Sequence, residues 1–172
     1  METAVRPAPN EYAPYYGRYV ALVPDGPIVE TLRDQIGETA AFLGSLPEAK
    51  GDHRYEPGKW SVKDVIGHVI DGERVFSYRA LRFARRDETP LPGFEQDDYV
   101  PAGAFGRRTL RDLIAEFRAV REATLHLYRH LDEEALCRTG IASENLMSVR
   151  ALAWVIAGHE RHHVGVIRER YL

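Results

Sequence analysis

Residues 148–170 read SVRALAWVIAGHERHHVGVIRER. Leu152, Val155, Ile156, Val166 and Ile167 recur at the three- and four-residue intervals of an amphipathic helix. At about 100° per residue, with His159 at zero, Leu152 falls at about 20°, Val155 at about −40°, Ile156 at about 60° and Val166 at about −20°. His163 falls at about 40° on the same wheel. Two imidazoles one turn apart therefore lie in the middle of an apolar stripe, where unpartnered polar rings are costly.

Three more stretches carry the same period. The first runs from about Pro27 to Leu46, opened by Asp25-Gly26-Pro27 and stopped by Pro47. The second runs from Ser61 to about Arg86, and Ser61 with Asp64 three residues on resembles a capping box. Arg82, Arg85 and Arg86 end it, where the negative pole of a helix favours cations. The third runs from about Thr109 to Leu131, and Ser148–Arg170 is the fourth. Sustained alternation and Asn-Gly or Asp-Gly hairpin signals are lacking. The pattern predicts an all-α protein, an antiparallel four-helix bundle over residues 25–172. A long loop, residues 87–108, separates the second and third helices, and loops of that length are often functional. Residues 132–147 form the other long connection, with a short helical turn expected at Asp132–Leu136. Residues 1–24 carry four prolines and four tyrosines and read as an extended arm lying on the domain.

Composition narrows the function. The chain has 172 residues, 44% hydrophobic and 28% charged, which fits one soluble globular domain. A net charge of −3 gives no cationic field to draw nucleic acid or anionic lipid. No apolar run reaches the ~20 residues of a membrane span. The N-terminal residues lack a basic-then-apolar leader pattern, so the expected location is the cytoplasm. The single cysteine, Cys137, excludes an internal disulfide and a cysteine-rich zinc site.

The seven histidines are not alike. His126 and His130 share the spacing of His159 and His163 but fall about 180° and 220° from Phe117, on the solvent face of the third helix. His159 and His163 face the core, and a shared metal ion satisfies both. A third ligand is needed. His53 lies in a loop and His162 beside the stripe. His68 lies on the edge of the second helix's buried face, and an antiparallel neighbour would bring it level with the pair. His68, His159 and His163 are therefore the expected ligands, and three nitrogens leave coordination positions open for water or substrate.

The letters admit other readings. His159–His163 matches H-E-x-x-H, in which Glu160 is a general base, but the nine residues that follow hold no histidine. Glu160–His163 also reads Glu-x-x-His, yet a di-iron bundle needs a second such motif and the chain has none. Nucleophile-elbow, Walker and dinucleotide-binding glycine patterns are absent from the sequence.

Three motifs carry a resemblance. Trp60-Ser61-Val62-Lys63-Asp64-Val65-Ile66-Gly67-His68-Val69-Ile70-Asp71 resembles the W-s-x-x-x-x-x-x-H-x-x-D signature of the DinB/YfiT-like superfamily. Leu91–Tyr99 resembles that family's loop after the second helix, and Gly158–His163 its closing H-x-x-x-H. The resemblance covers about residues 20–172. It implies a four-helix bundle with one divalent metal ion per chain, zinc or nickel, on three histidines that map onto His68, His159 and His163. It also implies a homodimer and a small-molecule substrate. Relatives include thiol S-transferases, a mycothiol-dependent isomerase and metal-dependent hydrolases. Such a metal ion either holds a low-molecular-weight thiol as thiolate or lowers the pKa of bound water toward ~7. The first gives an S-transferase, which the family favours; the second gives a hydrolase. A metal-binding stress protein without catalysis is the third reading. Glu160 or Asp71 is expected to orient a ligand imidazole or a bound water, and Phe94 and Tyr99 in the long loop to cover the metal.

Overall fold

The structure, a computed structural model, describes residues 5–172; the first four residues of the expected arm lie outside them. Short α1 (Gly17–Val20) precedes the first bundle helix, α2 (Ile28–Gly44), and then α3 (Val62–Ala84). α4 (Gln96–Gly103) lies in the long connector before α5 (Leu110–Tyr128). α6 (Glu133–Cys137), β1 (Thr139–Ala142) and β2 (Asn145–Ser148) lead into α7 (Val149–Arg170). The capping box predicted for α3 is present: Ser61 Oγ accepts from Asp64 N–H at 3.1 Å and Asp64 Oδ2 accepts from Ser61 N–H at 2.9 Å. Thr109 caps α5, Asp132 caps α6 and Ser148 caps α7 one way only, each side chain accepting from the N–H three residues on. Each satisfies backbone donors that the first turn leaves unpaired.

The four predicted helices form the bundle, with α3 on α7, α2 on α5, α3 on α5 and α2 on α7. Gln35 and Thr39 on α2 reach Ala157 and Glu160 on α7 in rising order, so these helices run in parallel. Trp60, ahead of α3, meets Tyr171 at the end of α7, and His68 meets His159, so α3 and α7 are antiparallel. Phe105, ahead of α5, covers Gly67, and Arg121 further along α5 reaches Glu73, so α3 and α5 are parallel. Half the neighbouring pairs are thus antiparallel and half parallel. A parallel neighbour cannot be reached by a tight turn. The chain must first travel back along α3, about 34 Å for its 23 residues, and the long connector does so.

Three local expectations change. The arm lies on the domain but is not extended: 3₁₀ turns at Pro9–Glu11 and Pro14–Tyr16 lead into α1. Proline at the start of each turn fits, because it lacks the donor that a helix start leaves unpaired. The long connector is not all loop, since it holds α4. Residues 139–148 form an antiparallel hairpin, with Ile141 opposite Leu146. Its turn is Ser143-Glu144, both at positive φ (51° and 64°), without the Asn or Gly that usually marks such a turn. Leu91 of the connector joins the hairpin as a parallel bridge to Ala142.

The core has two apolar halves. One gathers Leu32, Phe76, Phe83, Leu125, Trp154 and their neighbours; the other gathers Leu43, Val62, Ile66, Leu113, Phe117 and Ile167. Between them lies a buried polar layer that includes Thr39, Glu73, Arg121, His68, His159 and Glu160. α7 is buried on every side from Ala151 to Glu160, because the arm and the hairpin cover what the bundle leaves open.

Candidate metal centre

His68 stands in the second turn of α3, and His159 and His163 stand one turn apart on α7. The antiparallel pairing of these helices brings the three rings together: ring centres are 4.8 Å apart for His68–His159, 4.7 Å for His68–His163 and 4.5 Å for His159–His163. Their ligand nitrogens all lie within 4.8 Å of one another. Gly72, one turn beyond His68, makes room for the His159 ring; a Cβ there would lie 3.0 Å from its Cε1. Trp60 lies against His68 at 4.9 Å between centres, and Tyr19 and Phe76 meet His159 edge-on.

Burial sets the charge state. His68 is 3% exposed and His159 5%. Burial lowers His68 to about 4 and His163 to about 2, and it holds His159 well below the usual range, helped by the imidazoles of His163, His68 and His162. All three are neutral at physiological pH, the form that ligates a metal. His68 Nε2 and His159 Nε2 face each other at 3.0 Å, and His163 Nε2 is buried without a hydrogen-bond partner. One proton shared between the first two still leaves the third unsatisfied. A divalent cation would engage all three, so the donor set fits the implied metal.

The other expected residues fall elsewhere. The hydrogen bonds of Glu160 run to Thr39 and Arg121, away from the imidazoles. Arg121, 0% exposed, also holds Glu73 through two bonds of 2.8 and 2.9 Å. Burial raises the Glu160 carboxyl, against the pull of Arg121. Asp71 lies by Arg74 on the α3 surface, partly buried. His126, His130 and His53 are exposed, while His162 packs against Tyr19 and His163. Arg82 pairs with Asp87 and Arg86 with Glu134. Glu73 and Arg121 escaped the sequence reading. The available signal was Arg121 four residues after Phe117, a cation on the apolar face of its helix.

A cavity of about 220 Å³ opens beside the triad, with His68 and His159 in its wall. Tyr15, Tyr16 and Tyr19 of the arm line it, with Phe76 of α3 and Phe94, Glu95 and Gln96 of the connector. Phe94 thus covers the site as expected. Tyr99 does not line it; it is exposed and packs on Phe94 at 5.4 Å between centres. Cys137 is exposed at the end of α6.

Fold and site together define a class: four-helix bundles with a histidine triad shared between two helices. Residues 31–167 match the model of the DinB superfamily, and the chain belongs to that superfamily. Its fold is similar to that of YfiT from Bacillus subtilis, described as a probable metal-dependent hydrolase with an unusual four-helix bundle topology. The TM-score is 0.69 at 15% identity, over 90% of this chain and 84% of YfiT. It is also similar to a mycothiol-dependent maleylpyruvate isomerase, with a TM-score of 0.65 at 14% identity over 80% of this chain. The match spans only 58% of the isomerase. At such identities the likeness is one of fold. No curated protein sequence matches the chain.

Proposed function

We propose that the protein is a metal-dependent enzyme that activates a low-molecular-weight thiol for transfer to a small electrophile. One observation carries the reading: three neutral imidazoles, two buried and one half-buried with an unpartnered nitrogen, converge beside an aromatic cavity. Zinc or nickel bound there would act as a Lewis acid and hold a thiol ionised near neutral pH. His68, His159 and His163 would hold the ion. The surrounding rings restrict water and favour a weakly hydrated sulfur nucleophile. Exposed Cys137 is not in the cavity wall, so the thiol belongs to a cofactor. Glu160 serves as a positioning residue, fixing through Thr39 and Arg121 the turn of α7 that carries His159. The folds of YfiT, described as a probable metal-dependent hydrolase, and of the mycothiol-dependent isomerase support the family setting; YfiT also favours a second reading, hydrolysis with water in place of the thiol.

Metal analysis of protein purified without chelators tests the premise. About one zinc or nickel per chain is expected, lost in a His159→Ala/His163→Ala variant; a metal-free wild type would sink the reading. A screen of small thiols against chlorodinitrobenzene, with and without chelator, then tests the reaction. Chelator-sensitive thioether formation supports transfer, whereas thiol-independent ester cleavage supports hydrolysis. We further propose a cytoplasmic homodimer. Tyr78, Leu81, Ile141 and Leu146 offer exposed apolar surface for it, and light scattering should return twice the 19.5 kDa chain mass. No helix among the described residues is long and apolar enough to cross a membrane.

A further inference from the structure

The cavity beside the triad is walled by five aromatic rings: Tyr15, Tyr16, Tyr19, Phe76 and Phe94. They present both faces and edges. Tyr16 meets Phe76 at 87°, Tyr15 meets Tyr16 at 83° and Phe76 meets Phe94 at 75°. Such a wall offers an aromatic guest edge-to-face partners on several sides, which a saturated guest of the same size cannot use. The polar side chains in the wall, apart from the histidines and the tyrosine hydroxyls, are Glu95 and Gln96 of the connector. They leave room for one polar substituent.

A ring cage can also take a cation, and exposed Glu95 would draw one, but the charge stacked on the rings themselves is already positive. The Arg18 guanidinium already stacks on Tyr15 and Tyr19, at 4.1 and 4.7 Å from their centres, and it hydrogen-bonds both hydroxyls. A metal ion on the triad would add a second positive charge next to the guest.

Three of the five rings come from the arm, which lies before residues 31–167, the segment matched by the family model. The arm is bolted down. A Cβ on Gly158 would lie 2.0 Å from the Tyr19 carbonyl oxygen, so the arm backbone rests directly on α7 beside His159. Arg6 donates to the carbonyls of Val20 and Val23 at 2.9 and 2.6 Å, with its guanidinium 4.5 Å above Trp154. Glu11 accepts from Ser148 and Arg150 at the start of α7. A rigid wall that lies outside the family-matched segment is suited to set specificity.

We propose that the substrate of this site carries an aromatic ring with one polar substituent, and that the arm segment Tyr15–Tyr19 selects it. The proposal deepens the enzymatic reading given above, but its test needs no metal. Chelator-treated full-length protein is titrated by ligand-observed NMR with benzyl alcohol, cyclohexylmethanol and tetramethylammonium. Benzyl alcohol should bind about fivefold more tightly than cyclohexylmethanol, the scale of one or two edge-to-face contacts. Tyr16→Leu combined with Phe94→Leu should abolish that preference, and Tyr16→Phe should keep it. Phe94→Leu alone, on the half-buried connector, should halve the preference and carries the test if the double variant does not fold. Equal binding of the two alcohols, a preference unchanged by the leucine variants, or tighter binding of tetramethylammonium would overturn the proposal. Metal content is measured separately on the same proteins purified without chelator. A wild type without metal that still prefers benzyl alcohol refutes the metal reading alone, and a metal-loaded wild type without the preference refutes the aromatic reading alone.

Discussion

His163 shows what burial does to a ligand before any ion arrives. Free histidine titrates near 6.5, but desolvation takes His163 to about 2 and His68 to about 4. Both carry depressed values in the fold, so protons compete with a metal only below about pH 4. Zinc affinity should therefore change by less than tenfold between pH 8 and pH 5, as read by competition with a chromophoric chelator. Three ordinary histidines would lose about four orders of magnitude over that span. Arg121 is the opposite case, a buried charge held by two carboxylates. Arg121→Met strands Glu73 and Glu160 without a counter-charge and should cost about 3–5 kcal/mol in denaturant unfolding. Glu160→Gln, which can still bond Thr39, should cost less. The triad was legible in the sequence because two imidazoles at helical spacing interrupt an apolar stripe. Glu73 and Arg121 were not read, because each looks like an ordinary helix charge until three helices are brought together.

Elements were legible where the period is long and hidden where the geometry is local. The four long helices follow from spacing and caps, and Ser61-x-x-Asp64 marks its boundary correctly. The hairpin left no trace: its strands are four residues each, and its turn uses Ser143-Glu144. Glu144 pays the left-handed penalty that glycine avoids, so Glu144→Gly should stabilise the protein by up to about 1 kcal/mol in thermal unfolding. The arm's role was half visible, since its tyrosines announced burial but not the wall of a cavity. Gly158 is the contact that seats it. Gly158→Ala places a methyl group where the Tyr19 carbonyl lies, and backbone cannot swing aside as a side chain can. A loss of about 1–3 kcal/mol is expected, with faster proteolytic cleavage before residue 24 as α1 lifts. A variant as stable and protease-resistant as the wild type would show that the arm does not rest on α7 there.

At the scale of the whole molecule, the triad ties together parts of the chain that are far apart in sequence. His68 and His159 are 91 residues apart, on antiparallel helices that share no direct connection. The surrounding layer is the weakest part of the core in apolar terms, since it divides the two hydrophobic halves. An ion bound there replaces an unsatisfied nitrogen with a bond and ties α3 to α7 across that layer. Binding to the folded chain alone stabilises it by mass action, by about 4 kcal/mol when free metal is a thousandfold above Kd. For a chain of this size each kcal/mol moves Tm by roughly 2–4 °C. Loading with zinc should therefore raise Tm by about 8–16 °C in differential scanning calorimetry, and chelator should reverse the shift. His68→Ala removes the α3 ligand while leaving the α7 pair intact, so it should remove most of the shift. If His68→Ala kept the full shift, the ion would be held on α7 alone and would not bridge the bundle.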